Sequence, residues 1–287
     1  MIIFKKKRDL QTWLTQQKSQ GKSIGFAPTM GALHEGHLSL LQTSKKENDI
    51  TLTSIFVNPT QFNDPKDFAK YPITLENDIY MLEQTGCDVL FLPAVDEIYP
   101  PNEPKGEQYN LGYLETVLEG KFRPGHFQGV CQVMYRLLSI FQPHNLYMGQ
   151  KDYQQCMVIK RLIQLADFSC KLHICPTLRE KEGLAMSSRN LRLTAEERKK
   201  VLAIYITLLY LKKEYSQQAF SLLKENAVNY LLEAGFVKID YIELANADDL
   251  TLLDKWDDKT PVVALIAAFM GEIRLIDNMV LTGSISF

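Results

Sequence analysis

Residues 26–41 read FAPTMGALHEGHLSLL, which is the pattern of a β-strand, a tight loop and the start of an α-helix. The apolar run ends at a proline, a glycine-containing loop follows, and a helical pattern opens between His34 and His37. The N-terminus of a helix carries unpaired backbone N–H groups and a partial positive charge, and both favour a bound phosphate. Gly31 and Gly36 allow the backbone to approach such a ligand closely. The stretch therefore predicts a phosphate-binding turn whose N–H groups point at open space.

His34 and His37 are the chemically active side chains of this turn. They are three residues apart, so on a helix they lie on one face and can point at the same charge. Imidazoles donate hydrogen bonds to phosphate oxygens, although a lone histidine is more often structural than functional. Zinc binding of the H-E-x-x-H type needs histidines four apart, and a Walker A loop would end in G-K-[ST]. The H-x-G-H pattern is instead typical of nucleotidylyl transfer, so it predicts ATP and adenylation without identifying a substrate.

Length and composition describe an ordinary globular protein. The 287 residues suffice for two modest domains or one large one, with 46% hydrophobic and 23% charged residues. A formal net charge of −2 predicts neither nucleic acid nor a membrane as a partner. The five cysteines form no C-x-x-C pair, which favours buried free thiols. With no signal-peptide core at the N-terminus and no apolar run that could span a bilayer, a cytoplasmic enzyme is expected.

The first part of the sequence alternates between apolar strand-like runs and helical patterns. This alternation predicts a parallel sheet covered by helices on both faces, that is, an α/β fold with its binding site at the carboxyl ends of the strands. The strands are expected at residues 23–28, 50–57, 88–92, 145–148 and 171–175, and the helices at 38–46, 75–84, 130–141 and 153–166. Residues 93–125 read as a long surface excursion that is partly helical at 111–118.

In the last third of the chain the alternation stops. Residues 179–183 read as a charged connector, and Thr194 with Glu197 makes a capping box for a helix that continues to about residue 213. These features predict a smaller α+β domain with an antiparallel sheet, so we place the boundary near Arg179, with domains 1–179 and 180–287. A second helix is expected at about 217–234, and strands at 237–244, 262–270 and 273–281.

Two polar stretches follow predicted strands. SIFVNPTQF (54–62) contains Asn58 and Gln61, whose neutral amides suit a small polar substrate, although an Asn-Pro turn with a capping role is an equal alternative. GQKDYQQ (149–155) offers Lys151 to a phosphate, and the alternative is an ordinary surface Lys–Asp pair.

Two further stretches combine cations with other polar groups. GKFRPGH (120–126) brings a cation and an imidazole together in a turn defined by glycine and proline. AMSSRN (185–190) presents two hydroxyls and a guanidinium, which suit a triphosphate, although an exposed polar loop would read the same way. Each stretch is a weak signal alone, and only their co-occurrence indicates a nucleotide-using enzyme.

In order and spacing, the set PTMGALHEGH, SIFVNPTQF, RPGHFQGV, GQKDYQQ and GLAMSSRN closely resembles the pantoate–β-alanine ligases, also called pantothenate synthetases. The resemblance covers residues 24–190, and LIDN at 275–278 continues it. It implies a homodimer in which a Rossmann-like domain of the HxGH nucleotidylyltransferase type is followed by a smaller, mobile lid. It also implies an ATP-dependent condensation of (R)-pantoate with β-alanine through pantoyl-adenylate, giving pantothenate, AMP and pyrophosphate. The alternatives are a nucleotidylyltransferase that only transfers AMP to a small substrate and a non-catalytic nucleotide-binding dimer.

The resemblance also implies which residues take part. Those matched to catalysis are His34, His37, Lys151, Ser187, Ser188 and Arg189. Those matched to ATP are Met30, Gly31, Ala32, Leu33, His34, Glu35, Gly36, His37, Gly149, Gln150, Lys151, Asp152, Leu178, Met186, Ser187, Ser188 and Arg189. Gln61 and Gln155 are matched to pantoate, and Gln61 is matched to β-alanine as well. No resident metal site is implied, because Mg²⁺ would arrive with ATP.

The sequence departs from the family pattern at three positions, which are Ile73, Gln150 and Arg192. Arginine, glutamate and tyrosine, respectively, are common there. None of these departures removes a matched contact. Residues 102–109 follow no family pattern.

Overall fold

The computed structural model describes residues 1–63, 68–101 and 107–283, and within these ranges the chain divides into two compact units. The N-terminal unit comprises the described parts of Met1–Gly149 together with Gln154–Cys175. The C-terminal unit comprises Gln150–Tyr153 together with the described residues after Cys175. The short segment Gln150–Tyr153 therefore belongs to the C-terminal unit, although the N-terminal unit flanks it on both sides in the sequence. Of residues 102–109, the first five lie outside the described residues.

Among its described residues, the N-terminal unit contains a six-stranded parallel sheet, which confirms the predicted α/β class. The strands are β1 (Ile2–Phe4), β2 (Ile24–Thr29), β3 (Ile50–Ile55), β4 (Val89–Phe91), β5 (Asn145–Gly149) and β6 (Lys171–Cys175), in the order β1-β4-β3-β2-β5-β6. The helices of this part of the chain are α1 (Lys7–Ser19), α2 (Glu35–Glu47), α3 (Leu75–Thr85), α4 (Val95–Ile98), α5 (Leu118–Phe122), α6 (His126–Phe141) and α7 (Tyr153–Leu165).

Both faces of this sheet are covered by apolar clusters, which explains why its central strands β2, β3 and β4 are almost entirely buried. On one face Phe26 packs among residues of α1, α6 and α7, and its ring centroid lies 4.7 Å from that of Phe141. On the other face Ala27 packs with Leu41 of α2 and Leu82 of α3. Because strand side chains alternate in direction, successive residues of one strand belong to opposite cores.

The N-terminal region differs most from the sequence-based expectation. β1 was not expected, because a short apolar run has no strand period of its own. α1 was not predicted either, although Leu10, Trp13, Leu14 and Gln17 recur at helical spacing. β1 is recognisable only through its pairing with β4, and Ile2 and Ile3 remain more than 40% exposed at this sheet edge. The excursion at 93–125 contains α4, α5 and a 3₁₀ turn at Gly112–Glu115, which lies inside the expected helical stretch.

Among its described residues, the C-terminal unit contains a three-stranded antiparallel sheet, as predicted. Its strands are β7 (Lys238–Asn246), β8 (Val262–Met270) and β9 (Ile273–Thr282), and its helices are α8 (Ala195–Lys200), α9 (Leu202–Glu214) and α10 (Phe220–Glu233). The capping box of Thr194 and Glu197 is present. The helix that it begins ends at Lys200, so one predicted helix is in fact two, α8 and α9.

All five cysteines are buried and carry free thiols, as the absence of paired spacing predicts. Burial raises the pKa of the Cys87 and Cys131 thiols to about 12, so neither is ionised near neutral pH. No helix in the described ranges combines the length and the apolar character that crossing a bilayer requires.

Candidate active site

The N-terminal sheet has one point at which the strand order reverses. β3, β4 and β1 follow β2 on one side, whereas β5 and β6 lie on its other side, so the strand order reverses between β2 and β5. In open parallel sheets, ligands bind outside the carboxyl ends of the strands at such a reversal. β2 ends at Thr29 and β5 ends at Gly149, so the loop that starts at Met30 leaves the sheet at this point.

The loop between β2 and α2 is held by a buried carboxylate. Asp78 is 1% exposed, and its two oxygens accept the backbone N–H groups of Ala32 at 2.9 Å and Leu33 at 2.8 Å. The Thr74 hydroxyl also donates to Asp78, at 2.9 Å. Gly31 has a φ of 83° and Ala32 a φ of 49°, which is the left-handed conformation that such a reversal of the chain needs. The prediction that the N–H groups of this turn point at open space is therefore wrong for Ala32 and Leu33.

His34 and His37 lie side by side where α2 begins. His34 is extended, with φ −144° and ψ 170°, and it immediately precedes the first helical residue, Glu35. The His37 N–H group donates to the His34 carbonyl at 2.8 Å. The two rings stack with centroids 4.0 Å apart and planes 29° apart. The expectation that spacing by three brings both imidazoles to one place is confirmed, with one ring before the helix and one on it.

Asn58 holds the side chain of Gln61. Asn58 is 1% exposed, and its Nδ2 group donates to Gln61 Oε1 at 3.1 Å and to the Gly129 carbonyl at 3.2 Å. Its Oδ1 accepts the Tyr99 hydroxyl at 2.8 Å. The Gln61 Nε2 group donates to Met30 Sδ at 3.2 Å, which uses one of its two N–H bonds and leaves the other for a ligand. The capping alternative for the NPTQ stretch is confirmed, because Asn58 Oδ1 accepts the Thr60 N–H group. Recognition of a polar substrate by Asn58 and Gln61 stays a prediction.

The RPGH stretch contacts the same 3₁₀ turn, Pro59–Gln61, through His126. His126 is buried, and its Nδ1 lies 2.8 Å from the Gln61 carbonyl oxygen, while its Nε2 lies 3.0 Å from Arg123 Nη1. The cation and the imidazole therefore meet, as predicted. Gly129, one turn further along α6, has Thr60 O only 2.2 Å from where a Cβ would be. Only glycine allows α6 to approach the Pro59–Gln61 turn so closely.

The two adjacent glutamines of α7 differ in what they contact. Gln154 is 2% exposed, and its amide bonds to the Glu119 N–H group at 2.9 Å and to the carbonyls of Leu114 and Val117 at 2.7 and 3.0 Å. Its Oε1 and both N–H bonds of its Nε2 are therefore engaged within the fold. Gln155 is only half-buried, so it is the glutamine of the pair that remains suited to a substrate.

In the C-terminal unit, Lys151 lies on the 3₁₀ turn Gln150–Asp152. The Asn278 amide donates to the carbonyl oxygens of Gln150 and Lys151, at 2.9 Å each, and accepts from Gln150 Nε2 at 3.1 Å. Lys151 Nζ lies 3.8 Å from Asp152 Oδ1, so the Lys–Asp pair exists but is long for an ion pair. The Lys151 side chain is 17% exposed and that of Asp152 is 49% exposed.

The stretch expected to be a connector is a hairpin turn. Met186 N–H donates to the Leu178 carbonyl at 3.1 Å, and Glu180 N–H donates to the Leu184 carbonyl at 2.8 Å. Gly183 supplies the left-handed conformation of the turn, with a φ of 101°. Arg179 is not a solvated charge but pairs with the buried Asp277.

The hydroxyl-rich segment follows this hairpin as the 3₁₀ turn Ser188–Arg192. Ser187 caps the turn by accepting the Arg189 N–H group at 3.3 Å, and Ser188 is buried. The buried Asn190 amide donates to the Ala185 carbonyl at 3.0 Å and to Glu180 at 3.1 Å. These bonds fix the backbone of the segment, and the alternative of an exposed polar loop is wrong for Ser188 and Asn190, which are buried. Leu178, at the other end of the hairpin, is 40% exposed.

The described residues contain no group of three or more histidine, cysteine, aspartate or glutamate side chains placed to hold a metal ion. The structure also shows supporting residues that sequence reasoning did not assign, namely Asp78, Gly129 and Asn278. Each acts through a contact with a residue far away in the sequence, and only Gly129 and Asn278 lie in motifs that carried the family resemblance.

Comparison with known proteins extends over the whole fold. The family model described as pantoate-beta-alanine ligase matches residues 2–280. A pantothenate synthetase from Bacteroides fragilis is 43% identical over 272 residues, which are 95% of this chain and 96% of that protein. One from Cytophaga hutchinsonii is 41% identical over 285 residues, covering 98% and 99%.

Two solved structures are also similar. Pantothenate synthetase from Thermus thermophilus superposes with a TM-score of 0.91 at 36% identity, over 99% of this chain and all of that one. The pantoate-beta-alanine ligase of Francisella tularensis, solved in complex with beta-gamma ATP and beta-alanine, has a TM-score of 0.83 at 39% identity, with both chains fully covered.

Proposed function

Since this chain belongs to the pantoate–β-alanine ligase family and forms pantothenate from pantoate, β-alanine and ATP, we propose that it does so in two steps through pantoyl-adenylate. The observation that carries the proposal is the stacked pair His34–His37 at the N-terminus of α2, beside the strand reversal of the sheet. Adenylate formation places new negative charge on phosphoryl oxygens, and two imidazoles at a helix N-terminus are suited to meet it.

In the first step, a carboxylate oxygen of pantoate attacks the α-phosphorus of ATP, and the bond from that phosphorus to the pyrophosphate oxygen breaks. We assign the stabilisation of the developing charge to the residues matched to catalysis, which are His34, His37, Lys151, Ser187, Ser188 and Arg189. The support for this assignment is the family motif together with the fixed backbones of the three segments that carry these residues. Rigid donors cost little reorganisation when the charge develops.

Pantoate and β-alanine are assigned to the two glutamines Gln61 and Gln155. The bonds from Asn58 to Oε1 and from Nε2 to Met30 fix the orientation of the Gln61 amide, and the second N–H bond of Nε2 remains as a donor. A donor suits the pantoate carboxylate or hydroxyl oxygens in the first step and the carboxylate of β-alanine in the second. In the second step, the amine of β-alanine attacks the acyl carbon, AMP leaves, and the amine loses a proton.

Mg²⁺ is proposed to enter as part of the substrate MgATP, since the described residues offer no carboxylate cluster of their own. A homodimer is proposed on the family resemblance alone, and sedimentation equilibrium measures it. A cytoplasmic location is proposed from the five free thiols and the use of ATP, and cell fractionation tests it.

Omission of single substrates tests the two-step route. Pantoate alone should support exchange of labelled pyrophosphate into ATP, because the adenylate forms before β-alanine takes part. AMP should accumulate in molar excess over the enzyme only when β-alanine is added. Exchange that requires β-alanine would contradict an adenylate intermediate. Continuous release of an AMP ester without β-alanine would instead indicate an enzyme that only transfers AMP.

Gly129→Ala should raise the KM for pantoate several-fold and lower the free energy of unfolding by about 1–3 kcal/mol, the usual cost of an overpacked site. The added methyl group would lie 2.2 Å from Thr60 O and 2.8 Å from the Gln61 Cα atom, so the turn that carries Gln61 must move. Steady-state kinetics and urea unfolding measure the two effects.

Gly149→Ala is the matched control for stability, because a Cβ there meets no atom within 4 Å. Since Gly149 is itself matched to ATP, the KM for pantoate of both variants is compared at saturating ATP. An unchanged KM for pantoate in Gly129→Ala, alongside reduced stability, would show that the position of this turn does not govern pantoate binding.

A further inference from the structure

We infer that Asn278 is a positioning residue that holds Lys151 in place for adenylate formation. The inference rests on the proposed function, because it takes Lys151 to be a group that meets the phosphates. Asn278 belongs to the LIDN stretch of β9, whose role the sequence motif alone leaves open. It lies 128 positions from Gln150 in the sequence, and both residues belong to the C-terminal unit.

The contacts of Asn278 converge on the short turn that carries Lys151. The Asn278 Nδ2 group donates to two successive carbonyl oxygens, those of Gln150 and Lys151, at 2.9 Å each. Its Oδ1 accepts from Gln150 Nε2 at 3.1 Å. One side chain thus makes three hydrogen bonds to two adjacent residues, which fixes both the position and the rotation of that turn. Asn278 is 2% exposed, so water does not compete for these bonds.

The asparagine is itself held in a fixed position. The Asp277 carboxylate accepts both guanidinium nitrogens of Arg179, at 2.6 and 3.0 Å, and it accepts the Asn278 N–H group at 2.8 Å. Arg179 also donates to the Asn278 carbonyl at 3.3 Å and lies over the Tyr205 ring, 4.5 Å from its centroid. The backbone of Asn278 is therefore bound at its N–H group and at its carbonyl oxygen.

The length and flexibility of lysine give this arrangement its purpose. A Lys side chain has four rotatable bonds, so its ammonium group is placed only as well as the backbone beneath it. A substitution far from the reacting atoms that displaces a catalytic group by about 1 Å can lower the rate by about 10²-fold. Three hydrogen bonds to the turn restrict the backbone of Lys151 in a way that its own side chain cannot.

Removal of the amide in Asn278→Ala should lower pantoate-dependent ATP–pyrophosphate exchange by about 10- to 100-fold. Aminolysis of chemically made pantoyl-adenylate by β-alanine should stay within about threefold of wild type, since no triphosphate takes part in it. Asn278→Leu keeps the number and branching of the side-chain heavy atoms but removes the donors and the acceptor, and it should show the same split. Asn226→Ala, which removes an exposed amide of α10 that bonds to the Tyr210 hydroxyl, is the control and should leave both half-reactions unchanged.

A double-mutant cycle separates positioning from general loosening. If Asn278 acts through Lys151, then adding Asn278→Ala to Lys151→Ala should lower exchange by less than about twofold further. Independent, multiplying effects would overturn the inference, and so would equal loss of both half-reactions in Asn278→Leu. A Lys151→Ala variant with normal exchange would instead overturn the assignment of Lys151 in the proposed function, a result the single variant shows without Asn278.

Discussion

His37→Ala lowers the rate of pantoyl-adenylate formation by about 10²–10³, the usual effect of removing one hydrogen-bond donor to a developing oxyanion. The ring of His37 stacks on His34 at the N-terminus of α2, where the helix dipole adds to the effect of both imidazoles on negative charge. Pyrophosphate exchange with pantoate as the only acceptor measures this rate directly. Aminolysis of supplied adenylate should fall much less, because the triphosphate has already left.

A histidine elsewhere in the same unit provides the control. His173 also stacks on an aromatic ring, that of Tyr147 at 4.8 Å, and bonds to Asn145 at 2.9 Å. His173→Ala therefore removes a comparable stacked imidazole that contacts α2 only at its last residue, Glu47, at 3.6 Å. The N-terminus of α2 is left as it is, so the exchange rate should stay near that of wild type. Near-normal exchange in His37→Ala, with an unchanged circular dichroism spectrum, would remove this residue from the chemistry.

Asp78→Asn should reduce both stability and adenylation, although Asp78 meets no substrate. The carboxylate accepts two backbone N–H groups of the loop before His34, and an amide of the same size has one acceptor oxygen and an NH₂ group instead. Loss of one charge-assisted bond to a buried group should lower the free energy of unfolding by about 1.5–3 kcal/mol. Displacement of the loop between β2 and α2, which precedes His34, should lower the rate of pyrophosphate exchange by up to about 10²-fold.

Glu76→Gln is the matched control for Asp78→Asn, since Glu76 lies on the same first turn of α3 but is exposed. Glu76→Gln should change the free energy of unfolding by no more than about 0.5 kcal/mol. Its rate of pyrophosphate exchange should stay near that of wild type. Both variants are compared well below their melting temperatures, so that loss of folded protein does not count as loss of activity. Destabilised Asp78→Asn enzyme with wild-type exchange would show that the loop keeps its place without the carboxylate.

The elements that could be predicted from the sequence are those set by local pattern. The bounds of β6 and β8 match the strands predicted at 171–175 and 262–270. Both are followed by a turn-forming residue, Pro176 or Gly271, and β8 is in addition a continuous apolar run. The capping box at Thr194 is equally local and was predicted correctly. The parallel α/β class followed from the alternation of these patterns.

What could not be predicted depends on contacts between distant residues. β1 is a strand because it pairs with β4, almost 90 positions later, and its own three residues specify nothing. Asp78 resembles an ordinary acidic residue at a helix N-terminus, and only the fold brings it to the amides of Ala32 and Leu33. The motifs predict which segments take part in the chemistry, whereas the bonds that hold those segments are seen only in the structure.

The membership of Gln150–Tyr153 in the C-terminal unit has a consequence for the order of events during synthesis. These residues leave the ribosome long before β9, yet the Gln150 and Lys151 carbonyls both accept from Asn278 of that strand. The Tyr153 hydroxyl likewise donates to the Ala247 carbonyl, at 2.6 Å. A nascent chain that has completed the parallel sheet therefore still lacks the bonds from Asn278 that hold the turn Gln150–Asp152, which carries Lys151. Catalytic competence should arrive as a late and abrupt event of biogenesis, when the C-terminal hairpin of β8 and β9 closes on it.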